Sequence, residues 1–235
     1  MAGSVRIGRQ EIMRATSVMR FVIFGAVGFG VGLAIAGFFN SGFIAITAPI
    51  HPPGRGAEPP PWWLSQMPSL SWFFAGACGG AGLGLALKSW KWVAALALAG
   101  AVGFGVGNLF FFALAFLFGF PLVGAGMGAL GGLILGLALA DWRKVLLLGL
   151  AGMVGFGVGE GIAAALGMSV PGIDWEQPPL LLLVYVLVMG MVGIIGGASL
   201  GAALGFLENR KLAQGQDQES GESPRYVEPH RHTSM

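Results

Sequence analysis

Charge is what this sequence most lacks. Asp, Glu, Lys and Arg make up 10% of its 235 residues, against roughly 25% in a soluble domain. Between Arg20 and Arg210 the chain runs for long stretches with no charge at all. About 20 consecutive apolar residues cross the hydrocarbon core as a helix. Several stretches here qualify, which argues against a soluble globular fold. Cys78 is the single cysteine, so no intramolecular disulfide can form and the redox compartment is not indicated. The three histidines, His51, His230 and His232, all fall outside the apolar stretches. Two of them sit in a polar tail, too few for a metal site. No metal and no cofactor is expected. The net charge of +2 is too small to point to nucleic acid.

Glycine is in excess: 42 of 235 residues, where roughly 7% is usual. These glycines stand among Leu, Val, Ala and Phe, which a disordered chain lacks. In membrane helices glycine lets two backbones approach closely.

The glycines are organised as a repeat. Gly25-Ala26-Val27-Gly28-Phe29-Gly30-Val31-Gly32 recurs unchanged over residues 100–107, and with Met153 as the one change over residues 152–159. These are the A helices. After each comes a B helix with the pattern G-x-x-G-G-x-x-x-G: Gly76, Gly79, Gly80 and Gly84, then Gly128, Gly131, Gly132 and Gly136, then Gly193, Gly196, Gly197 and Gly201. Residues four apart share a helix face. Each A helix therefore presents a G-x-x-x-G pair, Gly28/Gly32, Gly103/Gly107 or Gly155/Gly159. Each B helix presents a triplet, Gly76/Gly80/Gly84, Gly128/Gly132/Gly136 or Gly193/Gly197/Gly201. Helix packing through these fifteen glycines is the expectation.

The fold expected is an all-α integral membrane protein. Six transmembrane helices, near 20–39, 72–88, 92–116, 121–140, 144–167 and 181–207, form three parallel two-helix hairpins around a pseudo-threefold axis. The repeats run about 20–88, 92–140 and 144–208. An N-terminal segment (1–19) precedes this domain (20–208), and a disordered polar tail (209–235) follows it. The loop 40–71 is outside the membrane, and its prolines, among them Pro59, Pro60 and Pro61, exclude a helix there.

Lys and Arg favour the cytoplasmic ends of membrane helices. Arg6, Arg9, Arg14, Arg20, Lys88, Lys91, Arg143, Lys144, Arg210 and Lys211 all fall on one side of this six-helix plan, and Arg55 alone on the other. Both termini are expected inside, in a bacterial cytoplasmic membrane. Trp90, Trp92 and Trp142 would mark the inner boundary, and Trp62, Trp63, Trp72 and Trp175 the outer one. A cleaved signal peptide over 1–39 is disfavoured, because its apolar core is the first copy of the repeat.

Glu160 is the only carboxylate inside an expected span, and such groups default to a functional hypothesis. It occupies the position that is Leu33 and Asn108 in the other two A helices. It stands 16 residues beyond Lys144, about 24 Å at helical rise, in the outer third of the membrane. It is roughly 110° around the helix from the Gly155/Gly159 face. Three roles are open: a hydrogen-bonded carboxylate between helices, an ion or proton site, or contact with a partner subunit. Asn108 reads as polar glue between helices, or with Glu160 as a site for an ion, a solute or a partner. Cys78 and Ser199 read as packing.

No His lies in an expected helix and no two acids face each other, so no enzyme is expected. The glycines lie mid-helix and are not a phosphate loop. The A-helix glycine run resembles the first helix of the rotor-ring c subunits of rotary ATPases. That resemblance implies an ion-binding carboxylate on the second helix, and every B helix here lacks one. The three-hairpin plan is similar to that of mitochondrial carriers, whose P-x-[DE]-x-x-[KR] signature is absent from every repeat. Neither resemblance implies a function.

Two functions are left. One is a non-enzymatic scaffold or accessory subunit, packing against other membrane proteins, itself or the lipid bilayer through glycine seams. The other is a small ion or solute channel or transporter along the axis near Asn108 and Glu160. Filling of the axis by Phe29, Phe104 and Phe156 would oppose the second, and a continuous cavity reaching Glu160 or Asn108 would oppose the first.

Overall fold

A computed structural model describes the backbone of residues 2–47, 62–112, 120–168 and 178–221, and the side chains of 15–39, 70–110, 121–166 and 182–211. Six helices follow one another: α1 (Ala2–Thr47), α2 (Trp62–Ala86), α3 (Trp90–Phe112), α4 (Phe120–Ala138), α5 (Trp142–Met168) and α6 (Pro178–Gly221). Among the described residues there is no strand. In a medium without water the helix satisfies every backbone polar group internally. Five helices contain segments long and apolar enough to cross a membrane: Ala15–Phe39, Trp90–Phe110, Pro121–Ala138, Trp142–Leu166 and Leu182–Lys211. The chain thus has the build of a polytopic integral membrane protein. In α2 the described apolar segment, Leu70–Ala86, is shorter.

Four boundaries differ from the sequence expectation, one of them the end of α1, which runs to Thr47, inside the loop 40–71. α1 begins at Ala2, so most of segment 1–19 is helical, and α6 continues through Gly221 into the segment expected to be disordered. The rest of that tail, 222–235, lies outside the described residues, as does loop 48–61. α2 starts at Trp62, inside the loop expected to be free of helix. Pro59, Pro60 and Pro61 all precede it, which fits a residue that cannot sit in a helix interior without losing a hydrogen bond. Pro68 lies within the helix, at the cost of one such bond, as membrane helices tolerate.

Each helix packs on the next in the chain, and α6 packs back on α1, so the neighbours form a closed ring. The most extensive contacts join α2 to α3, α4 to α5, and α6 to α1. Two of these pairs are joined by three-residue turns of one design. Leu87 N and Lys88 N donate to Gly84 O (3.1 Å) and Leu85 O (2.9 Å), and Val93 N donates to Ser89 O at 3.0 Å. Leu139, Ala140 and Val145 repeat this pattern on Gly136, Leu137 and Asp141 at 3.1, 2.9 and 3.0 Å. Lys88 and Ala140 take the left-handed conformation (φ 56° and 51°) that ends a helix.

Glycine fixes how closely the pairs approach. A Cβ on Gly76 would collide with the Gly100 carbonyl oxygen, one on Gly80 with that of Leu96, and one on Gly84 would lie 2.5 Å from Val93 Cα. Gly128, Gly132 and Gly136 stand against Gly152, Leu148 and Val145 in the same way. The A-helix pairs face the other neighbour. A Cβ on Gly28 would lie 2.8 Å from Cys78 O, on Gly103 2.9 Å from Gly131 Cα, and on Gly155 2.6 Å from Ser199 Cβ. Gly32, Gly107 and Gly159 continue these contacts against Ala75, Met127 and Val192.

The third pair is out of step. By sequence Gly193 matches Gly76 and Gly128 and should oppose Gly25. Instead Gly193 opposes Phe29, Gly197 opposes Gly25, Gly201 opposes Phe21, and Gly205, 3.0 Å from Val18 Cα, takes the place of Gly84 and Gly136. The displacement is four residues, about 6 Å along the axis. Its physical reason is connectivity. A three-residue turn clamps α2 to α3 and α4 to α5, whereas four helices separate α1 from α6 in the sequence and no short turn sets their register.

Candidate functional site

Two places concentrate side chains that the packing of apolar helices does not itself demand. The first is the centre of the ring. Phe29, Phe104 and Phe156, the equivalent residues of the three A helices, are each 1% exposed. Their ring centroids are 4.9 Å (Phe29–Phe104), 4.8 Å (Phe104–Phe156) and 5.4 Å (Phe29–Phe156) apart, in tilted and edge-on orientations, within the range favourable for aromatic pairs. Each ring lies on a B-helix glycine: Phe29 on Gly79, Phe104 on Gly131, Phe156 on Gly196. A side chain at any of those glycines would occupy the space of the ring.

Asn108 and Glu160 follow Phe104 and Phe156 by one helical turn, as Leu33 follows Phe29. Leu33 and Asn108 are fully buried. Glu160 is half-buried and packs its Cβ and Cγ over Gly124 of α4. It therefore faces α4, while Gly155 and Gly159 of the same helix face α6. Among the described residues no hydrogen bond or ion pair reaches the Glu160 carboxylate. Ser199 donates to the Ala151 carbonyl at 2.8 Å, a bond that ties α6 to α5.

The second place is the end of the bundle that carries the two turns. Lys144, at the start of α5, is buried and donates to Glu208 of α6. Lys211, one turn further along α6, lies 3.2 Å from Asp141 in the α4–α5 turn. The Lys211 ammonium holds the Asp141 carboxyl below its ordinary value, helped by the backbone N–H of Arg143, 3.1 Å from Oδ1. Arg210 stacks over Phe206, 4.6 Å from its ring centre, and the Arg20 guanidinium lies 5.4 Å from that of Phe21. Lys88, Lys91 and Arg143 are exposed beside the turns. At the opposite end Glu160 is the one ionisable Asp, Glu, Lys, Arg or His among the described side chains.

Sequence reasoning singled out Asn108 and Glu160 and passed over Asp141 and Glu208. The signal was there: among the described side chains these are the only acids set among the basic residues of that end, one in a turn and one at the close of a span. The described tryptophans are of two kinds. Trp90 and Trp142 are exposed, but Trp72 and Trp92 pack against the apolar core. Trp62, Trp63 and Trp175 have no described side chains. Among the described residues no three His, Cys, Asp or Glu gather as metal ligands. No protein-family model, curated protein or solved structure matches the chain.

Proposed function

We propose that the chain is a non-catalytic membrane subunit, a six-span scaffold that packs against other membrane proteins or lipids. The observation that carries it is the aromatic layer. A pathway along the ring would have to pass three mutually touching phenyl rings that are shielded from solvent and seated on glycine backbone. Conduction needs carbonyls, charges or water along the path, and this layer offers none. The A-helix phenylalanines and the two turn-clamped helix pairs support three similar units around a pseudo-threefold axis, with the α6–α1 pair as the unequal member. α2 packs between α1 and α3 and is joined to α3 by a three-residue turn, which supports a sixth crossing. Ten helix-end Lys and Arg on one side support both termini in the cytoplasm.

Purification in mild detergent, followed by reconstitution into liposomes, tests the proposal. A stoichiometric membrane partner or a defined homo-oligomer, together with liposomes that stay ion-tight, is the expected outcome. A lone monomer that passes ions would overturn it.

A further inference from the structure

The two turns share a backbone but not a charge. In the α4–α5 turn, Asp141 pairs with Lys211 and Lys144 with Glu208. Those two bases are answered within the protein. In the α2–α3 turn the matching positions are Ser89, for Asp141, and Trp92, for Lys144. Trp92 packs against the core and calls for no counter-ion. Lys88 and Lys91 are exposed, and among the described residues neither meets a carboxylate. The described side chains of α1, α2 and α3, which surround this turn, include no acid at all. Between the two lysines stands Trp90, 81% exposed.

We propose that the α2–α3 turn binds the headgroup phosphate of an anionic phospholipid. Lys88 and Lys91 supply the charge, and Trp90 seats the turn at headgroup level. The ring decides for a lipid over a soluble anion. An indole with a wide apolar face, held in the open between two ammonium groups, belongs at a membrane interface. Each lysine near an anionic bilayer surface contributes about 1 kcal/mol, so the pair together strengthens binding about thirtyfold. The α4–α5 turn has the same backbone and an exposed Trp142, but Ala140 stands in the place of Lys88 and Lys144 is paired with Glu208, so among the described residues Arg143 is its one base without a carboxylate partner. It is the built-in control. The proposal requires only that this end lies at a membrane surface, and it holds whether or not a partner subunit is found.

The test is native mass spectrometry of the full chain, released from mixed micelles holding equal phosphatidylglycerol and phosphatidylcholine. Wild-type protein is expected to retain phosphatidylglycerol over phosphatidylcholine. The double variant Lys88→Gln/Lys91→Gln should lose about thirtyfold in apparent affinity for phosphatidylglycerol alone. Arg143→Gln should lose much less. Thermal unfolding of each variant, expected to match wild type, separates lost binding from lost folding. Unchanged phosphatidylglycerol retention in the double variant overturns the proposal, as does an equal loss in Arg143→Gln. Displacement of the lipid by millimolar inorganic phosphate would make the turn a general anion site and would also overturn it.

Discussion

Replacing Gly132 with alanine should loosen the α4–α5 pair, and by an amount that the structure lets one order in advance against other glycines. The new Cβ would collide with the Leu148 carbonyl oxygen. Both partners are backbone, so no rotamer change can relieve the contact. The helices must separate by more than ~1 Å before the pair reaches ordinary van der Waals distance. A gap of 0.5–1 Å forfeits about a quarter to a half of each dispersion contact, and one contact is worth about 0.1–0.2 kcal/mol. Summed along the seam and with backbone strain added, the loss falls in the range of about 1–3 kcal/mol usual for overpacking. Gly80→Ala and Gly201→Ala meet the carbonyls of Leu96 and Phe21 and should behave alike. Gly107→Ala should cost less, because its nearest neighbour is Met127 Cα at 3.3 Å. Gly161→Ala should cost nothing, since nothing lies within 4 Å of a Cβ there. Unfolding midpoints in mild detergent, measured by intrinsic fluorescence, give the ordering directly. A Gly132→Ala protein as stable as Gly161→Ala would refute the close approach of the two backbones.

Three further outcomes follow from the same contacts. Phe104→Ala empties one third of the aromatic layer and should destabilise by about 3–5 kcal/mol, read as a fall in unfolding midpoint; a folded variant that lets ions through liposomes would turn the layer from a plug into a gate. Lys144→Ala should destabilise more than Lys211→Ala in a chemical unfolding series, because the first side chain is 6% exposed and the second 56%, and water and salt screen an exposed pair; equal losses would contradict the burial of Lys144. Asp141 has a depressed pKa, with Lys211 the largest cause. Its contribution is therefore fully present above the ordinary carboxylate value and is lost as pH falls through the depressed one. Unfolding midpoints should show no dependence from this pair near neutral pH and a decline only in acid, smaller in Lys211→Gln than in wild type; an equal decline in both would detach it from the pair.

Helix number and apolar character were legible because they rest on composition and length, which a single sequence carries in full. Which face of a helix meets which neighbour was less so. The B-helix triplet Gly76/Gly80/Gly84 lies against Gly100, Leu96 and Val93, whereas the A-helix pair Gly103/Gly107 lies against Gly131 and Met127. Spacing of four marks a face as flat but does not name the helix that covers it. The role of Gly79, Gly131 and Gly196 was hidden for a different reason. Each makes room for a ring on another helix, and that complementarity appears only in three dimensions. The ion pairs Lys144–Glu208 and Lys211–Asp141 join residues of α6 to the α4–α5 segment across more than sixty positions of sequence, beyond any local pattern. Helix ends were least legible, since α1 and α6 carry on through polar sequence at Arg14 and Gln214 where hydropathy alone would stop them.

The displaced register of α6 on α1 ties these observations together. In the other two pairs, the turn places Gly84 opposite Val93 and Gly136 opposite Val145, and the seam above has no freedom to slide. The α6–α1 pair is free of that clamp, and its glycines occur every four residues from Gly193 to Gly205. A ladder with a four-residue step fits its partner equally well one step along, so the contact surface alone does not choose the register. What distinguishes the adopted step is the end of the bundle. It brings Gly205 onto Val18, and it goes with Glu208 meeting Lys144 and Lys211 meeting Asp141. The charged contacts hold α6 against α5 and the α4–α5 turn and reach no residue of α1, so they bear on the α6–α1 seam only by fixing where α6 stands. Cross-linking of cysteines placed at Val18 and Gly205 in a chain with Cys78 replaced should form readily in the parent. It should fall in Lys144→Met/Lys211→Met if the pairs set the register, and stay unchanged if glycine packing sets it unaided.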